Sequence, residues 1–168
     1  MSSVRRVGDL EVDQDLDFQR RQWRVQRIAW VAMAAIVLVA LLGLFGTGPL
    51  SDASTEHGSL RLDYGRFDRK RAPAVLRVDV AAGTAPEGQL RLWLDETYLE
   101  GIEIRRIVPE PESAAAGADR TVYVFRVGDA SQPATISFEI EHAAFGRKTG
   151  RLGLVDGPAV AFSQFVYP

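Results

Sequence analysis

The feature that most constrains this chain is an uncharged run, Ile28 to Ser51, that is apolar almost throughout as far as Gly46. Crossing a hydrocarbon core of about 30 Å takes about 20 such residues in a helix. At about 1.5 Å per residue, 28–46 supplies about 28 Å. Trp23 and Trp30 stand ready as interfacial aromatics on the near side. In water a helix apolar all round would need the centre of a large protein, and the chain has only 168 residues. The reading is a transmembrane helix over 28–46, with a lipid bilayer as the first partner.

Orientation follows from the flanking cations. Arg20, Arg21, Arg24 and Arg27 crowd the N-terminal side and determine the topology, whereas the first cation beyond the run is Arg61. The N-terminus is therefore expected in the cytoplasm and everything after about residue 47 outside. Arginine outnumbers lysine eighteen to two, a usage that suits a GC-rich bacterium. The expected location is thus the bacterial inner membrane, with a single pass and a periplasmic C-terminal domain. The rival is a signal peptide cut after Ala53, where Ser51-Asp52-Ala53 has the small-x-small form. A long acidic segment ahead of the run, and a run beyond the usual 7–15 residues, both oppose it.

Residues 1–27 form a cytoplasmic stub too short to bury a core. Acids at Asp13, Asp15 and Asp17 precede the arginines, the order that suits a short helix leading into the span. The Asp-x-Asp-x-Asp spacing does not make a calcium loop, because Phe18 stands where glycine is required and Arg24 where a bidentate glutamate is required. Within the span, Ala29, Ala32, Ile36, Ala40 and Gly43 fall in one sector, a candidate face for packing against another helix.

After a linker over 47–58, the pattern alternates with period two, the mark of half-buried strands. Leu60–Tyr64, Leu76–Val80, Leu90–Leu94, Ile102–Ile107, Thr121–Val127, Ile136–Ile140, Leu152–Leu154 and Val160–Tyr167 are the expected strands. Arg106 breaks the alternation and suggests a bulge. Thr121–Val127 is apolar on both parities, as a central strand covered on both faces would be. Turn signals separate the strands, including Ala82–Gly88, Pro109–Asp119, Gly128–Pro133 and Gly146–Gly150. The fold class is a single transmembrane α-helix followed by an all-β domain over 59–168. That domain is expected as an antiparallel, immunoglobulin-like β-sandwich of seven to eight strands, with a small barrel as runner-up.

Chemistry is sparse. Without a cysteine there is no disulfide, thiolate metal site or thiol nucleophile, and His57 and His142 are the only histidines. A net charge of −2 gives no basic field for nucleic acid. No G-x-S-x-G elbow or phosphate loop occurs. His142 is expected on the surface and His57 solvated. Asp95 and Glu96 sit at a strand end, Glu110-Pro111-Glu112 in a loop, and Arg66, Arg69, Lys70 and Arg71 in a solvated basic loop. No catalytic, cofactor or metal residues are assigned, and the protein is read as a non-enzyme. Its expected work is to bind a membrane or periplasmic protein partner, as accessory subunit or scaffold of an envelope complex. The alternative is a membrane-anchored ligand sensor, and a hydrolase has no motif behind it.

Overall fold

The computed structural model describes residues 5–7, 10–12, 16–41 and 51–168. The chain divides into an N-terminal unit, Met1–Leu41, and a second unit, Leu42–Pro168.

In the first unit, β1 (Arg5–Val7) pairs antiparallel with β2 (Leu10–Val12), and α1 runs unbroken over Leu16–Leu41. Arg21–Leu41 has a mean hydropathy of 1.7 and is long and apolar enough to cross a membrane, at about 31 Å. The helix starts earlier than the expected span and takes in the second half of the stub. Arg20, Arg21, Arg24 and Arg27 all lie on it, and straight-chain arginines are good helix formers. The Arg27 guanidinium stands 5.8 Å from the centre of the Trp23 ring one turn back. Ala29, Ala32, Ile36 and Ala40 lie on the exposed helix surface, while Gly43 and the rest of 42–46 fall outside the described residues.

The second unit packs two sheets face to face. One has the order β5 (Phe67–Arg69), β13 (Ala159–Tyr167), β12 (Gly146–Leu154), β7 (Gln89–Asp95), β10 (Arg120–Arg126), β9 (Ser113–Ala116). The other has the order β3 (Asp52–His57), β4 (Leu60–Gly65), β6 (Pro73–Val80), β11 (Ala134–His142), β8 (Ile102–Val108). All pairings are antiparallel except that of β5 with β13. The inward parity of each strand builds one core: Leu60 and Leu62, Leu76 and Val78, Leu92 and Leu94, Phe125, Phe138 and Leu152 are essentially removed from solvent. Burying each such side chain contributes about 1.5–3 kcal/mol. The domain is a β-sandwich.

Every strand expected from alternation is present, and the bulge is where Arg106 suggested it. Glu139 faces Arg106 and Ile140 faces Ile104, so Arg105 is the extra residue on β8. Other expectations need correction. Eleven strands replace seven to eight, because β3, β5 and β9 carry no apolar alternation. β3 occupies most of the segment expected as linker, and Gly146–Gly150 is strand rather than turn. β10 is not covered on both faces: Thr121, Tyr123 and Phe125 point inward, while Val122 and Val124 are half-exposed on the outside. One helical turn, α2 (Glu96–Leu99), also appears, with Asp95 accepting from the Thr97 amide at 3.0 Å as its cap.

Candidate functional site

His142 is not on the surface. It follows Ile136, Phe138 and Ile140 at even spacing, so strand parity turns it into the interior, where it is fully buried. Its Nε2 lies 3.1 Å from Asp68 Oδ2. The same carboxylate oxygen accepts from Gln164 Nε2 at 2.7 Å, and Gln164 Nε2 also donates to the Gly65 carbonyl at 2.9 Å. Gln164 Oε1 in turn accepts the Tyr98 hydroxyl at 2.6 Å. Burial, and then the charge of Asp68, push the Tyr98 phenol well above its ordinary range, which keeps it a donor. The Tyr98 ring meets His142 and Phe162 edge-on, with centroids 6.4 and 4.9 Å away.

A histidine oriented by an acid is two parts of a nucleophile-activating triad, but the third part does not arrive. The other ring nitrogen, Nδ1, is buried without a hydrogen-bond partner. Donation from Nε2 to Asp68 leaves a bare lone pair there, which is the cheaper group to bury unmet. Among the described residues no serine is hydrogen-bonded to this ring, so the pair has no nucleophile to activate there. What the cluster does is fasten residues 65–71, a strap that crosses the end of the sandwich. The strap is also stitched by backbone: Arg66 N donates to Ser51 O at 2.6 Å, Phe165 N to Arg66 O at 2.7 Å, Lys70 N to Tyr167 O at 2.8 Å and Arg71 N to His142 O at 3.2 Å. A Cβ at Gly65 would stand 2.7 Å from Asp68 Oδ1 and would have to displace that carboxylate.

With Asp68 drawn inward, the cations of the strap face out: Arg66, Arg69 and Arg71 are exposed and Lys70 half-exposed. The other residues singled out from sequence are dispersed. Asp95 pairs with Arg151 at 3.2 Å, Glu96 accepts from the Thr121 hydroxyl at 2.8 Å, and Glu112 pairs with Arg126. Exposed His57 sits at the end of β3, with Nδ1 3.1 Å from the Ala159 carbonyl. Among the described residues, no group of three or more His, Asp or Glu is placed to hold a metal ion.

The two outer faces of the sandwich differ in kind. That of the five-stranded sheet is a lattice of neutralised charge: Arg61 with Asp63, Arg77 with Asp79, Arg105 with Glu103 and Glu141, Arg106 with Glu139. That of the six-stranded sheet has an apolar centre. Trp93 lies there against Gly153, whose Cβ position is 2.9 Å from the indole, and its Nε1 donates to the Leu154 carbonyl at 3.2 Å. Arg120 covers the ring at 5.3 Å. Val122 and Val124 lie beside it, and Ala115 pairs with Val122 on the edge strand β9. Arg91, Arg120, Arg126 and Arg151 rim this face, paired with Asp156, Asp119, Glu112 and Asp95. Where β7 ends, an open depression of about 600 Å³ is lined by Asp95, Thr97, Thr149, Arg151, Phe162 and Ser163, its charges already matched to each other.

No family model matches this chain, and no curated protein matches it. Among solved structures it is similar to a cohesin module from the family 33 glycoside hydrolase of Clostridium perfringens, at 9% identity and a TM-score of 0.45. The match covers 67% of this chain and 98% of that one.

Proposed function

We propose that the chain is a single-pass protein of the bacterial inner membrane that presents an immunoglobulin-like β-sandwich in the periplasm, there to bind a protein partner as accessory subunit or scaffold of an envelope complex. It is a binding protein rather than an enzyme. Retention of α1 as an anchor is supported by Ala53, which is buried and paired with Tyr64 inside a strand. A cut after it would sever the β3–β4 ladder.

The observation that carries the binding role is the edge strand β9. Ser113-Ala-Ala-Ala116 is exposed along its whole length and carries no charge, proline or bulky side chain. Soluble sheets ordinarily blunt such edges with charge, bulges or proline. The opposite sheet does so at β8, with Arg105, Arg106 and the bulge. An extended segment added to β9 would gain ladder hydrogen bonds and continue the apolar face of Val122 and Trp93. A photo-crosslinking side chain at Ala114, in the full chain at native expression, should give a discrete adduct with one membrane or periplasmic protein. The same probe at Arg77 should not, and Ala115→Lys should abolish the adduct. Equal capture from both positions, or a free monomer from Ala114, overturns the reading.

A further inference from the structure

The second unit carries fourteen Lys and Arg over residues 51–168, and eight of its arginines are paired with carboxylates over the outer faces of its sheets. Among the described residues 51–168, the six cations without an ion pair are Arg66, Arg69, Lys70, Arg71, Arg147 and Lys148. They are scattered in sequence but gathered in space. Arg147 pairs across the ladder with Phe165, Phe165 faces Phe67 on β5, and the strap continues from Phe67 through Arg71. All six stand at the end of the sandwich where β4, β11 and β13 finish. The two exposed phenylalanines of the domain are here too, Phe145 at 66% and Phe165 at 51% exposure. Of the carboxylates at this end, Asp52 and Glu100 are exposed, Glu103 and Glu141 are held by Arg105, and Asp68 is turned inward to His142.

This is also the end at which the chain arrives from α1. Ser51 is hydrogen-bonded to Arg66, and ten residue steps after Leu41 reach at most about 35 Å whatever their conformation. Cations without carboxylate partners, interleaved with exposed aromatic rings and leashed close to a bilayer, are what an anionic headgroup layer attracts. We propose that this end of the sandwich docks on the anionic phospholipid surface of the membrane that α1 crosses, with Arg66, Arg69, Lys70, Arg71, Arg147 and Lys148 on phosphates and Phe145 and Phe165 at headgroup depth. The proposal rests on the anchor reading of α1. Docking would orient the domain with its Gly83 and Ser131 loops outermost and its sheet faces free for a partner.

The test uses the full chain in nanodiscs of phosphatidylcholine alone or mixed equally with phosphatidylglycerol. Since the chain has no cysteine, a single Ala143→Cys or Ala82→Cys substitution carries a fluorophore, and a headgroup-nitroxide lipid serves as quencher. Quenching at residue 143 should be severalfold stronger in the anionic discs and should fall at 1 M salt, where the screening length shrinks to about 3 Å. Quenching at residue 82, at the opposite end, should be weak in both. The combined variant Arg66→Gln, Arg69→Gln, Arg71→Gln, Arg147→Gln, with an unchanged melting temperature, should lose the anionic enhancement. Equal quenching at 143 in both discs, or enhancement that survives the four substitutions, overturns the docking while leaving the anchor intact. A chain that separates from lipid on alkaline flotation overturns the anchor and the docking together.

Discussion

Gly150 marks how tightly the end of the sandwich is closed. A Cβ at this position would stand 2.8 Å from Phe162 Cζ and from Tyr98 Cδ2 and Cγ, so neither ring has room to yield. Gly150→Ala should destabilise the domain by about 1–3 kcal/mol, the usual cost of overpacking, read as a lower denaturant midpoint at unchanged slope. Asp68→Ala should cost more, about 3 kcal/mol, because it leaves the buried His142 Nε2 unmet and Gln164 Nε2 with the Gly65 carbonyl alone. His142, expected on the surface, faces inward because it continues the parity of Phe138 and Ile140. Its acid was not legible in the sequence: Asp68 lies on another strand in the other sheet, and no local pattern joins residues brought together only by the crossing of β5 over the end of the domain.

At the scale of elements, alternation reveals a strand only when one of its faces is buried. The strands with that signature are all legible, and the bulge at Arg105 follows from one misplaced charge. β3, β5 and β9 lie at sheet edges and are held by backbone ladders, so burial imposes no pattern on Asp52–His57, Phe67–Arg69 or Ser113–Ala116. That is also why β9 was read as part of a turn-rich stretch. Two local carboxylates tie other elements down. Asp129 accepts from the Ser131 hydroxyl and amide and from Gln132, and Glu141 accepts from Arg105; both are held below the ordinary carboxylate range by these bonds, chiefly those from the Ser131 and Arg105 side chains. A depressed folded value stabilises above the unfolded one and is lost as pH falls through it. Stability should therefore decline as the pH drops below about 4, and Asp129→Asn with Glu141→Gln should flatten that decline in melts across pH.

For the whole molecule, the strongest expectation concerns sidedness. On the proposed topology, in which Arg20, Arg21, Arg24 and Arg27 keep the N-terminus inside, a membrane-impermeant maleimide applied to intact spheroplasts should label Ala82→Cys but not Ser2→Cys. Reversed labelling would invert the topology. Length and hydropathy made the helix legible at this scale, whereas the segregation of matched from unmatched charge appears only once the strands are folded side by side.

The bond from Arg66 to Ser51, and from Phe165 to Arg66, places the entry of the domain next to its final strand. Tension applied between α1 and Pro168 would therefore meet these seams one bond at a time, as a zip is opened, and not as a row sheared together. A molecule wired in this way yields easily to a pull between its two ends. A tag fused after Pro168 would crowd the end of the sandwich that residues 65–71 cross, and one inserted at Gly83 would leave that end undisturbed.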